Sequence, residues 1–252
     1  MIDQENIGIY DVGDIYDAIY GGRGKDYRGE SAAVTRHIRA RHPRAASVLD
    51  VGCGTGGHLK YFAEDFSVVE GVDLTEGMLD VARRNLPEIP VHRGDMRTFD
   101  LGRRFDAIVS LFAVIGNLVG QDQLDATLAN FARHLAPGGV VVLEPWWFPE
   151  NFTPEHVGAS LTTVDGRTVS RVSHTVRHSE TASRMDVHYL VAEPGKGVQH
   201  FSDTHVLSLY GREQFEKAFA RAGLSLEYVE GDYDGNGLFV GVKRENSGPE
   251  PS

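Results

Sequence analysis

The feature of this sequence that most restricts its fold is an apolar run that ends in three closely spaced glycines. Residues 47–51 read SVLDV, and Gly52, Gly54 and Gly56 follow at G-x-G-x-G spacing. A short apolar run bounded by glycines is typical of a buried strand, and glycine is needed where the backbone takes a positive φ or touches a ligand. The segment therefore predicts a buried strand that brings Asp50 to its carboxyl end and then enters a ligand-binding turn.

Strands and helices alternate after this turn. Helices are predicted at HLKYFAEDF (58–66), MLDVARRN (78–85) and LDATLANFARHL (124–135), and strands at VVEGVDL (68–74), VHRGDM (91–96), FDAIVSLF (105–112) and GGVVVLEP (138–145). Residues 8–42 are also predicted to be helical, with a break at GGRGKDY and a second helix over about 31–41 that stops before Pro43. Such alternation predicts βαβ units and a mostly parallel sheet.

The texture of the sequence changes after residue 150. Alternating runs, LTTV, TVSRVSHTV, SRMDVHYLVA and THVLSLY, are separated by the turn sequences VDGRT and EPGKG. The chain then returns to a helix, GREQFEKAFARAG, and to two more strands, LSLEYVEG and GLFVGVKR. We predict a doubly wound, seven-stranded Rossmann-like α/β core over residues 1–150 and 211–243, an antiparallel β insertion over 151–210, and a disordered tail over 244–252.

Charge and composition exclude several classes of function. The formal net charge is −11, which argues against a nucleic acid partner. No apolar run reaches the roughly 20 residues of a membrane-spanning helix, and the first residues, MIDQENIGIYD, do not resemble a secretory signal. Cys53 is the single cysteine, and the 11 histidines show no metal-binding spacing. We expect a cytoplasmic protein that binds neither metal nor membrane.

Two acidic positions downstream of the glycine turn are suited to a nucleoside. Asp73 ends the second strand about 20 residues after the turn, where an acid can accept hydrogen bonds from ribose hydroxyls. Asp95 and Met96 end the third strand, where the carboxylate can accept from an adenine amino group and the Met96 amide can donate to a ring nitrogen. Taken singly, Asp50 could be a helix N-cap and Asp73 a turn residue.

In these residues the chain resembles the class I S-adenosylmethionine-dependent methyltransferases, over about residues 45–150. The G-x-G-x-G spacing and the preceding acid differ from the G-x-G-x-x-G turn of NAD-binding domains. The resemblance implies S-adenosylmethionine as cofactor. Its binding residues would be Asp50, Gly52, Gly54, Gly56, Asp73, Leu74, Asp95 and Met96.

A closer resemblance extends from about residue 10 to residue 242. GRGKDY (22–27), LDVGCGTGGHL (49–59), GDMRTFDLGRRF (94–105), EPWWFPENFTP (144–154), RVSHTVR (171–177) and GLFVGV (237–242) together look like the sugar N,N-dimethyltransferases. Those enzymes act on dTDP-linked aminodeoxysugars in antibiotic pathways such as desosamine and mycaminose biosynthesis. The resemblance implies a nucleotide-sugar substrate and N,N-dimethylation, with an antiparallel β insertion near the active site.

The chain departs from that family at two places. The family often has His or Tyr where this chain has Asn117, and it often reads Ser-Gly-Arg-Gly where this chain has Asp234, Gly235, Asn236 and Gly237. A cation suited to a phosphate is therefore absent from the last loop. Three alternatives stay open: another small amine or hydroxyl acceptor, a non-catalytic protein of the same fold, and an NAD-dependent oxidoreductase. The amino position of the sugar also stays open, and the meander would allow a homodimer.

The remaining cofactor candidates are implied by the resemblance and by their positions before the glycine turn and after the fourth strand. Tyr16 would cover the methionine end, Lys25 and Arg23 would meet its carboxylate, and Phe112 would flank the cofactor. Tyr16 and Phe112 could equally be core aromatics, and the two cations could belong to a solvated loop.

The acceptor candidates lie at the chain start, after the fifth strand and in the insertion. They are Tyr10, Trp146, Trp147, Arg171, His174 and Asn236. Of the adjacent tryptophans, one is expected at the substrate and the other in the core. Arg171 is a candidate for the diphosphate, and His174 would face away from it unless a bulge intervenes. No catalytic base is predicted to be indispensable, and Glu144, His174 and Asn117 are the candidates, with a buried structural acid as the alternative for Glu144.

Overall fold

The computed structural model describes residues 13–22, 24–231 and 236–244. The helices are α1 (Gly13–Gly22), α2 (Tyr27–Arg41), α3 (Leu59–Asp65), α4 (Glu76–Asn85), α5 (Gly120–His134) and α6 (Arg212–Arg221). The strands are β1 (Ser47–Val51), β2 (Val68–Asp73), β3 (Val91–Arg93), β4 (Phe105–Ser110), β5 (Leu135–Leu143), β6 (His156–Val164), β7 (Arg167–Ser179), β8 (Ala182–Glu193), β9 (Gly197–Ser208), β10 (Glu227–Val229) and β11 (Leu238–Val242).

Seven strands form the central sheet in the order β10-β11-β5-β4-β1-β2-β3. Strands β3, β2, β1, β4 and β5 pair in parallel, and β11 runs antiparallel to both β5 and β10. The chain order reverses direction at β1, which lies between β2 and β4. Ligands bind at such a switch point, outside the carboxyl ends of the strands. The predicted doubly wound seven-stranded fold is confirmed.

Both faces of the central sheet are covered, and side chains alternate between them. Val140 and Val142 pack toward α2, α3 and α4, whereas Val141 and Leu143 pack toward α5 and α6. A strand buried on both faces reads as a continuous apolar run. The alternation fixes which residues at the strand ends can reach the switch point.

A second sheet, with order β6-β7-β8-β9, is antiparallel throughout. Its inner face packs against α1, where Ile15 and Ile19 contact Val169, Val187 and Val191. The sheet also joins the core through hydrogen bonds, among them Ser208 Oγ to the Leu118 carbonyl at 2.6 Å. Helix α1 and the second sheet thus enclose space above the central sheet.

Several boundaries differ from the sequence-based ones. Helix α2 begins at Tyr27 rather than near Ser31, because Asp26 accepts a hydrogen bond from the Gly29 amide at 2.9 Å and so caps the helix. Strand β6 begins at His156, five residues before the apolar run LTTV, and pairs with β7 through small residues such as Gly158. The predicted disordered tail lies outside the described residues beyond Arg244.

Candidate active site

A cavity of about 1110 Å³ lies at the carboxyl ends of β1, β2 and β4. The central sheet forms its floor, α1 and the segment leading into α2 form one wall, and the inner face of the second sheet forms the other. Binding pockets for small molecules are commonly of about 300–1,000 Å³. The cavity is therefore large enough for a nucleoside cofactor and a second small ligand side by side.

The glycine turn borders this cavity with its backbone. Gly52 and Gly54 line it, with φ of +81° and +54°. A side chain at Gly52 would overlap Val114, so both the positive φ and the close packing require glycine there. Gly56 does not line the cavity. Its Cβ position lies 2.7 Å from Leu86 Cδ1, so this glycine allows close packing of the turn against the end of α4.

Asp50 lies beneath the turn and not in the cavity wall. It is 1% exposed, and neither carboxyl oxygen has a hydrogen-bond partner among the described residues. Burial, and then the charge of Asp73, raise the pKa of Asp50 to about 8. The carboxyl group is therefore held protonated at neutral pH. Asp50 is not among the residues that line the cavity, so its predicted contact with the cofactor stays a prediction.

Asp73 joins the end of β2 to the glycine turn. Its Oδ2 accepts a hydrogen bond from the Gly54 amide and its Oδ1 from the Thr75 amide, both at 2.9 Å. Burial raises the pKa of Asp73 despite these amides. Asp73, Leu74 and Thr75 all line the cavity, as the sequence predicted for the first two.

Asp95 and Met96 also line the cavity, together with Arg97, which the sequence analysis missed. The Arg97 guanidinium lies 2.9 Å (Nε) and 2.5 Å (Nη2) from the Asp95 carboxylate. This pairing holds the pKa of Asp95 below its usual value. Asn130 Nδ2 donates to the Met96 carbonyl at 3.0 Å and fixes that backbone. The sequence signal that could have identified Arg97 is its position two residues after Asp95, where an ion pair can form.

Aromatic rings close the cavity on the side of α1. Tyr16 and Tyr20 line it, and the Tyr20 ring meets the Phe112 ring edge-on at 5.0 Å between centroids. Lys25 lines it too, with Nζ 4.1 Å from the centre of the Phe112 ring. Asp17 anchors α1 by accepting a hydrogen bond from Thr55 of the glycine turn. Tyr10 and Arg23, two predicted site residues, lie outside the described residues.

Both tryptophans after β5 line the cavity, so the prediction that one of them packs in the core is wrong. Trp146 Nε1 donates to Ser183 Oγ at 3.1 Å, and Trp147 remains 40% exposed. The next residue, Phe148, enters the core instead and contacts Tyr228 and Phe239. The chain has left the strand at Leu143, so strand alternation no longer assigns these side chains.

Glu144 and Asn117 line the cavity, and each has one polar atom hydrogen-bonded to the backbone. Glu144 Oε2 accepts a hydrogen bond from the Phe112 amide. Phe112 and Ala113 both have φ of +57°, an uncommon backbone conformation for residues other than glycine, and the buried carboxylate fixes it. Asn117 Nδ2 donates to the Val114 carbonyl at 3.0 Å.

Strand β7 divides the predicted acceptor residues between its two faces. Arg171, Ser173 and Thr175 point into the cavity. His174 does not line it and instead lies on the outer face, with Nε2 3.0 Å from Glu155 Oε2. The two-residue period of a strand requires this, since no bulge occurs between Arg171 and His174. His174 is therefore excluded as a base or substrate contact within this cavity.

Arg171 is a buried arginine on the wall that the second sheet forms. It is 5% exposed, Nη1 donates to Ser173 Oγ at 2.9 Å, Nη2 lies 3.5 Å from Met185 Sδ, and Nε has no partner among the described residues. Burial raises the pKa of the neighbouring Tyr189 to about 12. Burial also lowers the pKa of His205, and the charge of Arg171 adds to that effect. Tyr189 and His205 line the cavity but were not found from the sequence.

The last loop contributes Asn236, which lines the cavity while its carbonyl accepts a hydrogen bond from the Tyr228 hydroxyl at 2.7 Å. Across residues 13–22, 24–231 and 236–244, the structure contains no group of three or more side chains suited to a metal ion. Within the same residues, no helix is long and apolar enough to span a membrane.

Relatives of this chain match it over almost its whole length. A family model described as a methyltransferase domain matches residues 48–139. The dTDP-3-amino-3,4,6-trideoxy-α-D-glucopyranose N,N-dimethyltransferase of Streptomyces venezuelae is 53% identical over 92% of this chain and 98% of that protein. The dTDP-3-amino-3,6-dideoxy-α-D-glucopyranose N,N-dimethyltransferase of Streptomyces fradiae is 50% identical over 92% and 91%. The dTDP-4-amino-2,3,4,6-tetradeoxy-D-glucose N,N-dimethyltransferase of Saccharopolyspora spinosa is 44% identical over 92% and 93%.

Solved structures agree with these matches. DesVI of Streptomyces venezuelae superimposes with a TM-score of 0.87 at 53% identity, covering 91% of this chain and 97% of that one. CalS10, an amino pentose methyltransferase from Micromonospora echinaspora with bound S-adenosylmethionine, has a TM-score of 0.82 at 48% identity, covering 91% and 96%. The cofactor of this chain is S-adenosylmethionine. Because these curated relatives are 44–53% identical over 92% of this chain, the chain belongs to the dTDP-amino-sugar N,N-dimethyltransferase family of class I S-adenosylmethionine-dependent methyltransferases.

Proposed function

We propose that this protein transfers two methyl groups, in turn, from S-adenosylmethionine to the amino group of a dTDP-linked aminodeoxysugar. The observation that carries the proposal is that the similarity extends over 92% of this chain. It therefore includes the second sheet as well as the glycine turn. The two relatives named for 3-amino sugars are 53% and 50% identical, and the relative named for a 4-amino sugar is 44% identical. A 3-amino sugar is therefore the first acceptor to test.

The residues around the glycine turn fit the cofactor. The backbone of Gly52 and Gly54 can approach a ligand closely, because both glycines line the cavity at positive φ. We assign Asp73 and Leu74 to the ribose, Asp95 and Met96 to the adenine, and Tyr16, Lys25 and Phe112 to the methionine end. Arg97 holds the Asp95 carboxylate in place.

The acceptor would bind between the tryptophans and the second sheet. Residues 1–150 and 211–243 would hold the cofactor, and residues 151–210 would shape the acceptor site. We assign Trp146, Trp147 and Asn236 to the nucleotide sugar, and Tyr10 stays a prediction. Arg171 is the diphosphate ligand, because a buried guanidinium with an unpaired N–H is suited to a phosphate oxygen.

Alignment of the two reactants is the main contribution of the protein to the reaction. Bound S-adenosylmethionine supplies an electrophilic methyl group that a neutral amine can take up by in-line displacement. Holding reactants in line contributes up to about 7–11 kcal/mol. Glu144 holds the backbone at Phe112 and Asn117 bonds to the Val114 carbonyl, so we assign both residues to shaping the cavity wall. The amine would release its proton to water before it binds. Each transfer would release S-adenosylhomocysteine, and the methylated ammonium would lose a proton to water before the second transfer.

The outer face of the second sheet supports a homodimer. Val157, Leu161, Val172, Leu190 and Val198 are exposed on that face, on four adjacent strands. Exposed apolar side chains gathered on one face favour an interaction site, and a two-fold axis would place this face against the same face of a second copy. A cytoplasmic location stays a prediction.

The test is an incubation with S-adenosylmethionine and dTDP-3-amino-3,6-dideoxyglucose, followed by mass spectrometry of the sugar nucleotide. Successive gains of one and two methyl masses are expected. Absence of methylated product, with cofactor binding intact by calorimetry, would overturn the 3-amino assignment. Parallel incubations with a 4-amino sugar nucleotide and with natural-product amines and alcohols would then identify the acceptor class.

A matched pair of glycine variants links the activity to this cavity. Gly52→Ala should abolish cofactor binding, because the added carbon overlaps Val114 at a positive φ. Gly102→Ala, also at positive φ (+63°) but with no atom within 4 Å of the added carbon, should retain activity. Equal loss in both variants would show that general backbone strain, and not the turn, is responsible.

A further inference from the structure

A buried ionic cluster lies beside the cavity at the start of α2. Glu30 is 7% exposed and lies between two partners. Its Oε1 is 2.5 Å from Lys25 Nζ, and its Oε2 is 2.8 Å from Nε2 of His58. Lys25 and Glu30 both line the cavity, while His58, which is 6% exposed, lies behind them at the start of α3.

The charge states of this cluster follow from burial and hydrogen bonding. Burial acts to raise the pKa of Glu30, but the hydrogen bonds from His58 and Lys25 outweigh it, so the pKa lies below its usual value. Burial lowers the pKa of His58, and the nearby carboxylate does not restore it. At neutral pH the Glu30 carboxyl is therefore ionised and the His58 imidazole is neutral, with Nε2 as the donor to Glu30.

The cluster restrains a side chain that would otherwise be mobile. Lysine carries a point charge on a flexible four-carbon stem, and holding it in one place costs rotamer entropy. Here the ammonium is fixed between the Glu30 carboxylate and the face of the Phe112 ring, with Nζ 4.1 Å from the ring centre. His58 in turn fixes the carboxylate, and it follows directly on the glycine turn in the chain.

We infer that Glu30 and His58 are positioning residues that hold the Lys25 ammonium at the carboxylate of the cofactor's amino acid end. The inference rests on the proposed placement of the cofactor, with the methionine end at Lys25. Lys25 would make the contact, and the two buried residues would act only through it. Neither residue stands out in the sequence, because they are 28 positions apart.

The test compares two ligands that differ only in the amino acid portion. S-adenosylhomocysteine carries the α-carboxylate, whereas 5′-methylthioadenosine has the same adenosine and a thioether but no amino acid. Lys25→Met and Glu30→Gln should weaken S-adenosylhomocysteine by about tenfold or more, the usual effect of losing a charge-assisted hydrogen bond. Both variants should leave the affinity for 5′-methylthioadenosine unchanged, as measured by calorimetry.

Two variants of His58 separate positioning from packing. His58→Phe keeps the ring but removes the donor, and should lower the affinity for S-adenosylhomocysteine severalfold. His58→Gln restores an N–H near the position of Nε2 and should recover most of the affinity. If Glu30→Gln does not fold, these two variants still show whether the cluster positions Lys25 or only contributes to folding.

The control is Glu64→Gln, which removes the carboxylate of an exposed ion pair between α2 and α3. Arg28 donates to that carboxylate through two nitrogens, each at 2.8 Å. This variant should bind both ligands like the wild type. Equal loss of both ligands in Glu30→Gln and His58→Phe would overturn the inference and assign the cluster to folding alone. Failure of the wild type to bind either ligand would instead overturn the proposed cofactor placement, and the inference with it.

Discussion

Asp50 makes the stability of the ligand-free protein depend on pH. Its pKa is raised from 3.8 to about 8, first by burial and then by Asp73. Between these values the folded protein holds a proton that the unfolded chain has released, so the free energy of unfolding falls as pH rises. Asp50→Asn removes this titration. We expect the stability of the variant relative to wild type to increase by up to roughly 4 kcal/mol from about pH 5 to about pH 8.

Denaturant unfolding of both proteins at these two pH values, without cofactor, measures the effect. Asp106→Asn is the control, and its stability relative to wild type should not change between pH 5 and pH 8, because Asp106 titrates below that range. Burial opposes ionisation of Asp106, but hydrogen bonds from Ala46 and Ser47 outweigh it and lower its pKa. Its carboxylate therefore stabilises the fold above the usual pKa and loses that effect as pH falls. Parallel pH profiles for wild type and Asp50→Asn would contradict the assigned state of Asp50.

Arg171 should govern the affinity for the acceptor and not for the cofactor. Arg171→Gln removes a buried cation that we assign to the diphosphate, so the KM for the nucleotide sugar should rise about tenfold or more. The Kd for S-adenosylmethionine should stay unchanged. Initial rates at varied acceptor concentration and calorimetry with the cofactor measure the two effects.

Two variants on the outer face of the same sheet are the controls for Arg171. Arg184→Gln removes an exposed arginine that pairs with Asp186 at 2.9 Å. His174→Ala removes a histidine that lies outside the cavity. Both should leave the KM for the nucleotide sugar unchanged. A larger effect from His174→Ala than from Arg171→Gln would reverse the assignment of the two faces of β7.

Hydrogen bonds to Asp17 attach helix α1 to the glycine turn and to the end of α4. Thr55 donates to Asp17, and Asn85 Nδ2 lies 3.4 Å from the same carboxylate. Thr55→Val removes the donor with little change of shape. A hydrogen bond contributes roughly 0.5–1.5 kcal/mol, so amide exchange in α1 should accelerate by roughly two- to tenfold and cofactor affinity should fall by a similar factor, with little change in Tm.

Hydrogen exchange with mass spectrometry resolves α1 from the rest of the chain. Thr163→Val is the control, because Thr163 makes a 2.9 Å hydroxyl contact with Thr168 in an exposed hairpin. That variant should leave exchange in α1 and the cofactor affinity as they are. Unchanged exchange in α1 of Thr55→Val would mean that the Asp17 contact does not hold the helix.

At the scale of the elements, the sequence predicts the strands of the second sheet but not which face meets the cavity. Both faces carry apolar and polar residues, so alternation alone cannot assign Tyr189 and His205 to the inside. The pairing of the strands assigns these faces, because Thr175, Met185 and His205 lie side by side on adjacent strands. The partner of each strand is a property of the folded sheet, and this is why Arg171 could be proposed from the sequence while its neighbours could not.

At the scale of the whole molecule, the doubly wound core was predictable because its strands are apolar runs that can be recognised from neighbouring residues alone. The apolar run from Val48 and the acid at Asp73 are each identified by the few residues around them in the chain. The cluster of Lys25, Glu30 and His58, the burial of Asp50 and the turn at Phe112 depend on contacts between distant segments. Local patterns carry no information about such contacts.

The assembly state is also a property of the whole molecule. We expect light scattering after gel filtration to give a dimer for the wild type. Val172→Lys and Leu190→Lys place charges on the exposed apolar face and should shift the protein to monomers, because a charge buried at an interface is costly. Lys60→Glu, an exposed change on α3, is the control. A wild type that is monomeric at micromolar concentration would contradict the proposed homodimer.

Helix α1 contacts both the second sheet and the glycine turn, and this has a consequence for chimeric enzymes. Ile15 and Ile19 pack on the inner face of the second sheet, and Asp17 on the same helix bonds to the turn. Grafting strands β6–β9 from a relative with another acceptor would therefore leave the host helix against foreign side chains. The segments that must be exchanged together are residues 13–22 and 156–208, which lie far apart in sequence. Exchanging only the second segment would separate it from the helix that packs against it.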